Sequence, residues 1–278
     1  MSPKLLCVCL VTVGARVAFS QSAYQGFNQF FNYRTWSGLP GAGYGLTADG
    51  NIDPSGAMAY STPIAYSLGQ WRVASGGGLV SSTSSFVLPN LPGFHTVSGS
   101  DGKGEVAFGV DLGQAGMLTC EYMLLSKEWD QVYNFQLTPF RQQGRLRMAV
   151  GVQDLLGHGG AGQRVVTLKN GKKDYITAYS QSPYGVGTYD LGWNGSYVSA
   201  GLGQRRFDHG FANASTNLFS NAKLFTEYDG EFVNVGVNYA VPVGSFGIGN
   251  RKYRKIFLQL NAGEAASRYA FWGIFLTL

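Results

Sequence analysis

The 278-residue chain carries 40 glycines and 14% aromatic residues but only 13% charged residues, where a soluble domain usually carries roughly 25%. No run of about 18 apolar residues is present, which excludes a mature transmembrane helix. A net charge of +5 without a basic cluster interleaved with aromatics argues against nucleic acid as a partner.

Residues 1–20 read as a secretory signal peptide. Lys4 supplies the positive start, Leu5 to Val13 a short apolar core, and Ala18-Phe19-Ser20 a small-x-small cleavage site. Cys7 and Cys9 lie within it, so Cys120 alone would remain and no intrachain disulfide is expected. Residues 21–54 are rich in Tyr, Phe, Asn and Gly. They are expected to form a lead-in, or a segment folded into a barrel mouth as a plug. The spacing Gly41-x-Gly43-x-Gly45 lacks the strand-then-helix context of a phosphate loop.

From about residue 55 to 278, segments of about ten residues alternate apolar with polar. Trp71 and Val73 oppose Gln70 and Arg72; Val106, Phe108 and Val110 oppose Glu105, Ala107 and Asp111. Leu118, Cys120 and Tyr122 oppose Thr119 and Glu121, and Tyr133, Phe135 and Leu137 oppose Asn134 and Gln136. Leu146, Met148 and Val150 oppose Arg145 and Arg147. Tyr175, Ile176 and Tyr179 belong to a further segment, and Tyr189, Leu191 and Trp193 oppose Asp190.

In the stretch 221–242, Asp229-Gly230 has the signature of a two-residue type I′ hairpin turn. That register pairs Tyr228 with Glu231. It puts Tyr228, Val233, Val235 and Val237 on one apolar face, and Lys223, Glu227, Asn234 and Asn238 on the other. Ile256, Leu258 and Leu260 then oppose Lys255, Phe257 and Gln259. Finally Ala270, Trp272, Ile274, Leu276 and Leu278 alternate up to the last residue. The final pattern resembles the C-terminal signal of outer-membrane barrels, with Leu278 where those usually have Phe.

The fold expected is all-β: a transmembrane, antiparallel, up-and-down barrel of about 12 strands. Closure removes the sheet edges that lipid cannot satisfy. Tyr122, Tyr133, Trp193, Tyr228 and Trp272 are candidates for aromatic girdles. The lumen-facing candidates are Glu105, Asp111, Glu121, Arg145, Arg147, Tyr175, Tyr179, Asp190, Lys223, Glu227, Asn234, Asn238 and Lys255. They form either a polar conduit or a set of charges that pair and close it. On this reading Arg is tolerated at Asn234 and not at Val235. His95, His158 and His209 sit in Gly-rich or loop-like settings with no orienting third group. No catalytic set, metal site or cofactor is expected.

The segments 134–137, 148–154 and 226–236 (Thr-Glu-Tyr-Asp-Gly-Glu-Phe-Val-Asn-Val-Gly) resemble YjbH-type outer-membrane proteins across residues 100–242. That resemblance implies a barrel associated with exopolysaccharide production and export in Gram-negative bacteria. A general porin and a closed structural or adhesive barrel stand beside it. The expected partners are outer-membrane lipid, polysaccharide or small polar solutes, and proteins of an export machinery, for a monomer in the outer membrane.

Overall fold

A computed structural model describes residues 37–81, 100–125, 131–140, 142–156, 164–167, 173–176, 181–230, 232–247, 254–265 and 269–278. The signal-peptide reading and residues 21–36 of the lead-in lie outside them. The strands are β1 (Val73–Ser81), β2 (Ser100–Asp111), β3 (Gly116–Leu125), β4 (Gln131–Pro139), β5 (Leu146–Gln153), β6 (Arg164–Thr167) and β7 (Lys173–Ile176). They continue with β8 (Ser182–Asp190), β9 (Tyr197–Gly203), β10 (Phe211–Phe219), β11 (Ala222–Tyr228), β12 (Val233–Phe246), β13 (Arg254–Ala265) and β14 (Tyr269–Thr277).

Twelve of these close into one antiparallel barrel in the order β1-β14-β13-β12-β11-β10-β9-β8-β5-β4-β3-β2. The expected all-β barrel and its strand number are therefore what the chain forms. β14 closes the ring against β1, with Ala74 opposite Thr277 and Leu79 opposite Trp272. The terminal alternation thus has a structural role: the last strand removes the last edge. In β12 the register shifts between Pro242 and Gly244. Proline cannot donate to a ladder, and this irregularity is where a strand tolerates one.

Strand direction defines two rims. At the terminal rim Val73 and Leu278 exchange N–H···O bonds of 3.0 and 2.9 Å. The same rim carries the β2–β3, β4–β5, β8–β9, β10–β11 and β12–β13 turns. The opposite rim carries the β1–β2, β3–β4, β5–β8, β9–β10, β11–β12 and β13–β14 connections.

Three local expectations are corrected. The barrel begins at Val73, not near residue 55; Pro54 and Pro63 interrupt the preceding stretch, and its residues are buried without alternation. The 229–232 loop has four residues, because Tyr228 pairs with Val233. Gly230 has positive φ (98°), but Asp229 does not join it; its Oδ1 instead accepts the Phe232 N–H at 2.8 Å. The slip is even, so every side chain keeps its predicted face. Tyr175 lies on β7 of the separate two-stranded β6–β7 sheet and not on a barrel strand, and Tyr179 falls outside the described residues.

Candidate functional site

The wall alternates cleanly. Val106, Phe108, Met148, Val150, Leu202, Val237, Ile274 and Leu276 are exposed on the outside. Glu105, Thr119, Glu121, Asn134, Gln136, Thr188, Asn213, Asn238, Gln259 and Asn261 are buried on the inside. What buries them is the chain itself: residues 37–70 fill the lumen.

The sequence of this plug suits its position. Leu39, Tyr44, Leu46, Tyr60, Ile64, Tyr66 and Leu68 are wholly buried, and their spacing serves neither a one-faced strand nor a one-faced helix. A segment enclosed on all sides needs no single apolar face. Aromatic contacts tie it to the wall. The Tyr60 ring stacks on Phe225 at 5.2 Å and lies 4.2 Å from Phe271, and Tyr44 meets Phe275 edge-on at 5.7 Å.

An irregular enclosed segment leaves backbone groups that no ladder satisfies, and each would cost about 1–3 kcal/mol if orphaned. The wall supplies partners around most of the ring. Thr119 Oγ1 accepts the Leu68 N–H at 2.7 Å, and Thr188 Oγ1 accepts the Ala65 N–H at 2.7 Å. Gln136 Nε2 donates to the Tyr66 carbonyl at 2.8 Å, Asn134 Nδ2 to Gly38 O at 2.8 Å, and Gln153 Nε2 to Ser37 O at 2.7 Å. Asn213 donates to Pro63 O at 3.0 Å. Asn238 and Asn261 both donate to Gly43 O, at 3.1 and 2.9 Å.

The strongest anchor is Glu227, 2% exposed on β11. Its carboxylate accepts the N–H groups of Tyr60 (3.0 Å), Ser61 (2.9 Å) and Thr62 (3.2 Å). It also accepts the Ser61 and Thr62 hydroxyls at 2.7 and 2.9 Å, and Asn234 Nδ2 at 3.0 Å. Converging donors of this kind form a nest that compensates a buried charge. Arg206, also 2% exposed, donates to Ser61 O and to Gln153 Oε1, both at 2.7 Å. Four residues earlier on β11, Lys223 Nζ donates to Ser55 O at 3.1 Å, Gly195 O at 2.7 Å and Asn217 Oδ1 at 3.1 Å. It also lies 5.2 Å from the Tyr197 ring centroid. Burial, and after it the Glu105 and Glu227 carboxylates, pushes the Tyr60 phenol well above the ordinary tyrosine value.

The predicted lumen residues thus divide. Glu105, Glu121, Lys223, Glu227, Asn234 and Asn238 lie buried inside the barrel, and Arg147 is half-buried. Asp111, Arg145, Asp190 and Lys255 sit at the terminal rim, because each stands at or next to a strand end. Asp111 and Asp190 carboxylates cap turns there, accepting the Gly113 and Gly192 N–H groups at 2.8 and 2.7 Å. Sequence reasoning missed the plug-binding side chains Thr119, Thr188 and Asn213 on the wall and Arg206 in the β9–β10 connection, and the plug residues 55–70. The visible signal was Pro63 inside Met58–Leu68, a run apolar at both parities. Among the described residues no three His, Cys, Asp or Glu side chains form a metal-ligand group.

Fold and lumen together define a closed twelve-stranded barrel with an internal plug formed by its own chain. No family model matches the chain, and no curated protein does. Among solved structures it is similar to a KdgM porin, with 7% identity and a TM-score of 0.42 over 74% of this chain and 97% of that one. It is also similar to the COG4313 outer membrane channel from Pseudomonas putida F1, with 10% identity and a TM-score of 0.36 over 76% and 96%.

Proposed function

We propose that this chain is an outer-membrane barrel whose passage for polar solutes is shut at rest by residues 37–70 and opens when they move. The apolar outside supports the membrane setting. So does a belt of exposed aromatics at the terminal rim, where Trp71, Phe140 and Phe219 are 64%, 71% and 74% exposed. By the usual pattern of short periplasmic turns, the terminal rim faces the periplasm.

One observation carries the channel reading: the inner wall is polar although the plug covers it. The side chains that bond the plug backbone also make a surface that water wets, so a plug that moved would leave a polar passage and not an apolar cavity. Here Glu105, Glu121, Lys223 and Glu227, with Asn and Gln side chains, line the wall. They would hydrate at once if the plug left. The exopolysaccharide role rests on the YjbH-type resemblance of the segments quoted above. A small-solute porin is the second reading, favoured by how much of the lumen the plug fills.

Liposome swelling tests the proposal. Vesicles bearing the wild-type protein should stay impermeable to small sugars, and vesicles bearing Glu227→Ala should admit them. Passage of long oligosaccharides through the variant would favour the polysaccharide role; exclusion above a few sugar units would favour the small-solute porin. Equal swelling of both proteins would overturn the plug as the closure.

A further inference from the structure

Two arginines share the inner face of the wall where β5 meets the terminal rim. Ala149 and Gln153 are buried on that face, and counting back by twos puts Arg147 and Arg145 on it as well. The ladder reaches Arg145, whose carbonyl accepts the Asp190 N–H at 3.0 Å. The two Cα atoms stand about 7 Å apart along the strand. Among the described residues neither guanidinium has a carboxylate within ion-pair distance. The nearby Asp190 turns its Oδ1 to the Gly192 N–H at 2.7 Å. Arg145 is exposed to the rim, with Nη1 3.5 Å from the Leu191 carbonyl. Arg147 is half-buried, and its Nη1 is cut off from solvent without a hydrogen-bond acceptor.

The plug crosses β5 beside these groups. The Ala65 N–H bonds to Thr188 on β8, and Thr138 on β4 donates to the Ala65 carbonyl at 3.2 Å. Thr188 stands opposite Arg147, and β5 lies between β4 and β8. The next plug residue, Tyr66, meets the Tyr197 ring edge-on at 6.0 Å, and Tyr197 is paired with Asp190. Burial, and after it Tyr197 and Asp190, push the Tyr66 phenol above the ordinary tyrosine value, while the Arg147 guanidinium counters them.

We infer that Arg145 and Arg147 bind one oxyanion, a phosphate or carboxylate group, at the junction of wall and plug beside Tyr66. Two guanidiniums this close repel unless an anion stands between them. A buried N–H without an acceptor costs stability, and an oxyanion supplies the acceptor. The guanidinium fork fits such a group with two parallel hydrogen bonds. Because the arginines belong to the wall and Tyr66 to the plug, the bound ion favours the closed state. The site stands on the closed barrel itself; only this last effect rests on the plug movement proposed above.

Isothermal titration calorimetry of the detergent-solubilised protein with inorganic phosphate tests the site, with folding scored by the heat-dependent gel shift. The wild type should bind one phosphate. Arg147→Gln and Arg145→Gln should each weaken binding at least about tenfold, the equivalent of one charge-assisted contact. Lys255→Gln, which removes another cation of the same rim, should leave it unchanged. Equal loss from Lys255→Gln, or no saturable binding by the wild type, overturns the site. Glucuronate in a parallel titration separates a sugar-borne carboxylate from a free ion by which of the two binds more tightly. Binding of neutral glucose as tightly as either overturns an oxyanion site. For the effect on closure, a cysteine at Ser67, wholly buried in the plug, should react with maleimide about tenfold more slowly at phosphate ten times its Kd. Binding without that slowing sinks the effect on closure and leaves the site standing. A plug that fails to open in Glu227→Ala sinks the channel reading and leaves the binding measurement untouched.

Discussion

Glu227 is the residue on which closure depends most. Its carboxylate accepts three plug N–H groups and two plug hydroxyls. Glu227→Ala removes the acceptor and leaves neutral N–H and O–H donors buried, a change that costs about 1–3 kcal/mol for each donor left unsatisfied. That loss falls on the plug more than on the barrel, because the β11–β12 ladder is made by backbone. A cysteine placed at Ser61, wholly buried in the native protein, should therefore be protected from maleimide. In the Glu227→Ala background it should react at least about a hundredfold faster, as local opening of that energy implies. Gly43 offers a second residue-level test. It has a φ of +80°, and an added Cβ would meet Phe275 Cε2 at 2.7 Å. Gly43→Ala should loosen the plug by about 1–3 kcal/mol, seen as faster proteolysis within residues 37–70 while the barrel keeps its gel shift.

At the scale of the element, the strand faces were readable because period two leaves little freedom once one side meets lipid and the other does not. Tyr228, Val233, Val235 and Val237 kept their shared face even though the turn was longer than Asp229-Gly230 suggests, since the slip was even. The run 182–219, which forms β8, β9 and β10, was nearly silent, because Gly185, Gly187, Ala200 and Ala212 carry little hydrophobic signal. Residues 37–54 of the plug fall in the stretch read from sequence as a lead-in or plug, whereas 55–70 were read as the start of the barrel. The plug's conformation depends on wall groups far away in sequence, such as Glu227 and Thr188.

These differences change what substitution should do. Val235→Arg, pointing outward, should cost about 2–4 kcal/mol near the midplane. The sequence alone expected Asn234→Arg, facing the lumen, to be tolerated much better. Asn234 instead donates to Ser61 Oγ at 3.1 Å and to Glu227 at 3.0 Å, so the larger cation should expel the plug locally. Refolding into lipid vesicles across a urea series, with Ser61 labelling alongside, separates the two: Val235→Arg lowers barrel stability, and Asn234→Arg exposes Ser61. Full tolerance of Val235→Arg would contradict the lipid-facing assignment.

For the whole molecule, closing the sheet and filling the lumen are two separate achievements of the chain. The ring is completed by β14 against β1, through pairs from Ala74–Thr277 to Val80–Phe271. The plug is completed by side chains on β3, β4, β5, β8, β10, β11, β12 and β13 that bond its backbone. The proposed function requires that the plug leave without unfolding the barrel, and that separation is the central claim. Single-channel recording in a planar bilayer tests it most directly. The wild-type protein should give long closed intervals with rare openings. Glu227→Ala, folded to the same gel shift, should give stable conductance that a disulfide between cysteines at Ser61 and Asn234 is unable to produce in the wild-type background. A steady current through the wild-type protein, or silence from a Glu227→Ala protein whose Ser61 position has become reactive, would contradict it.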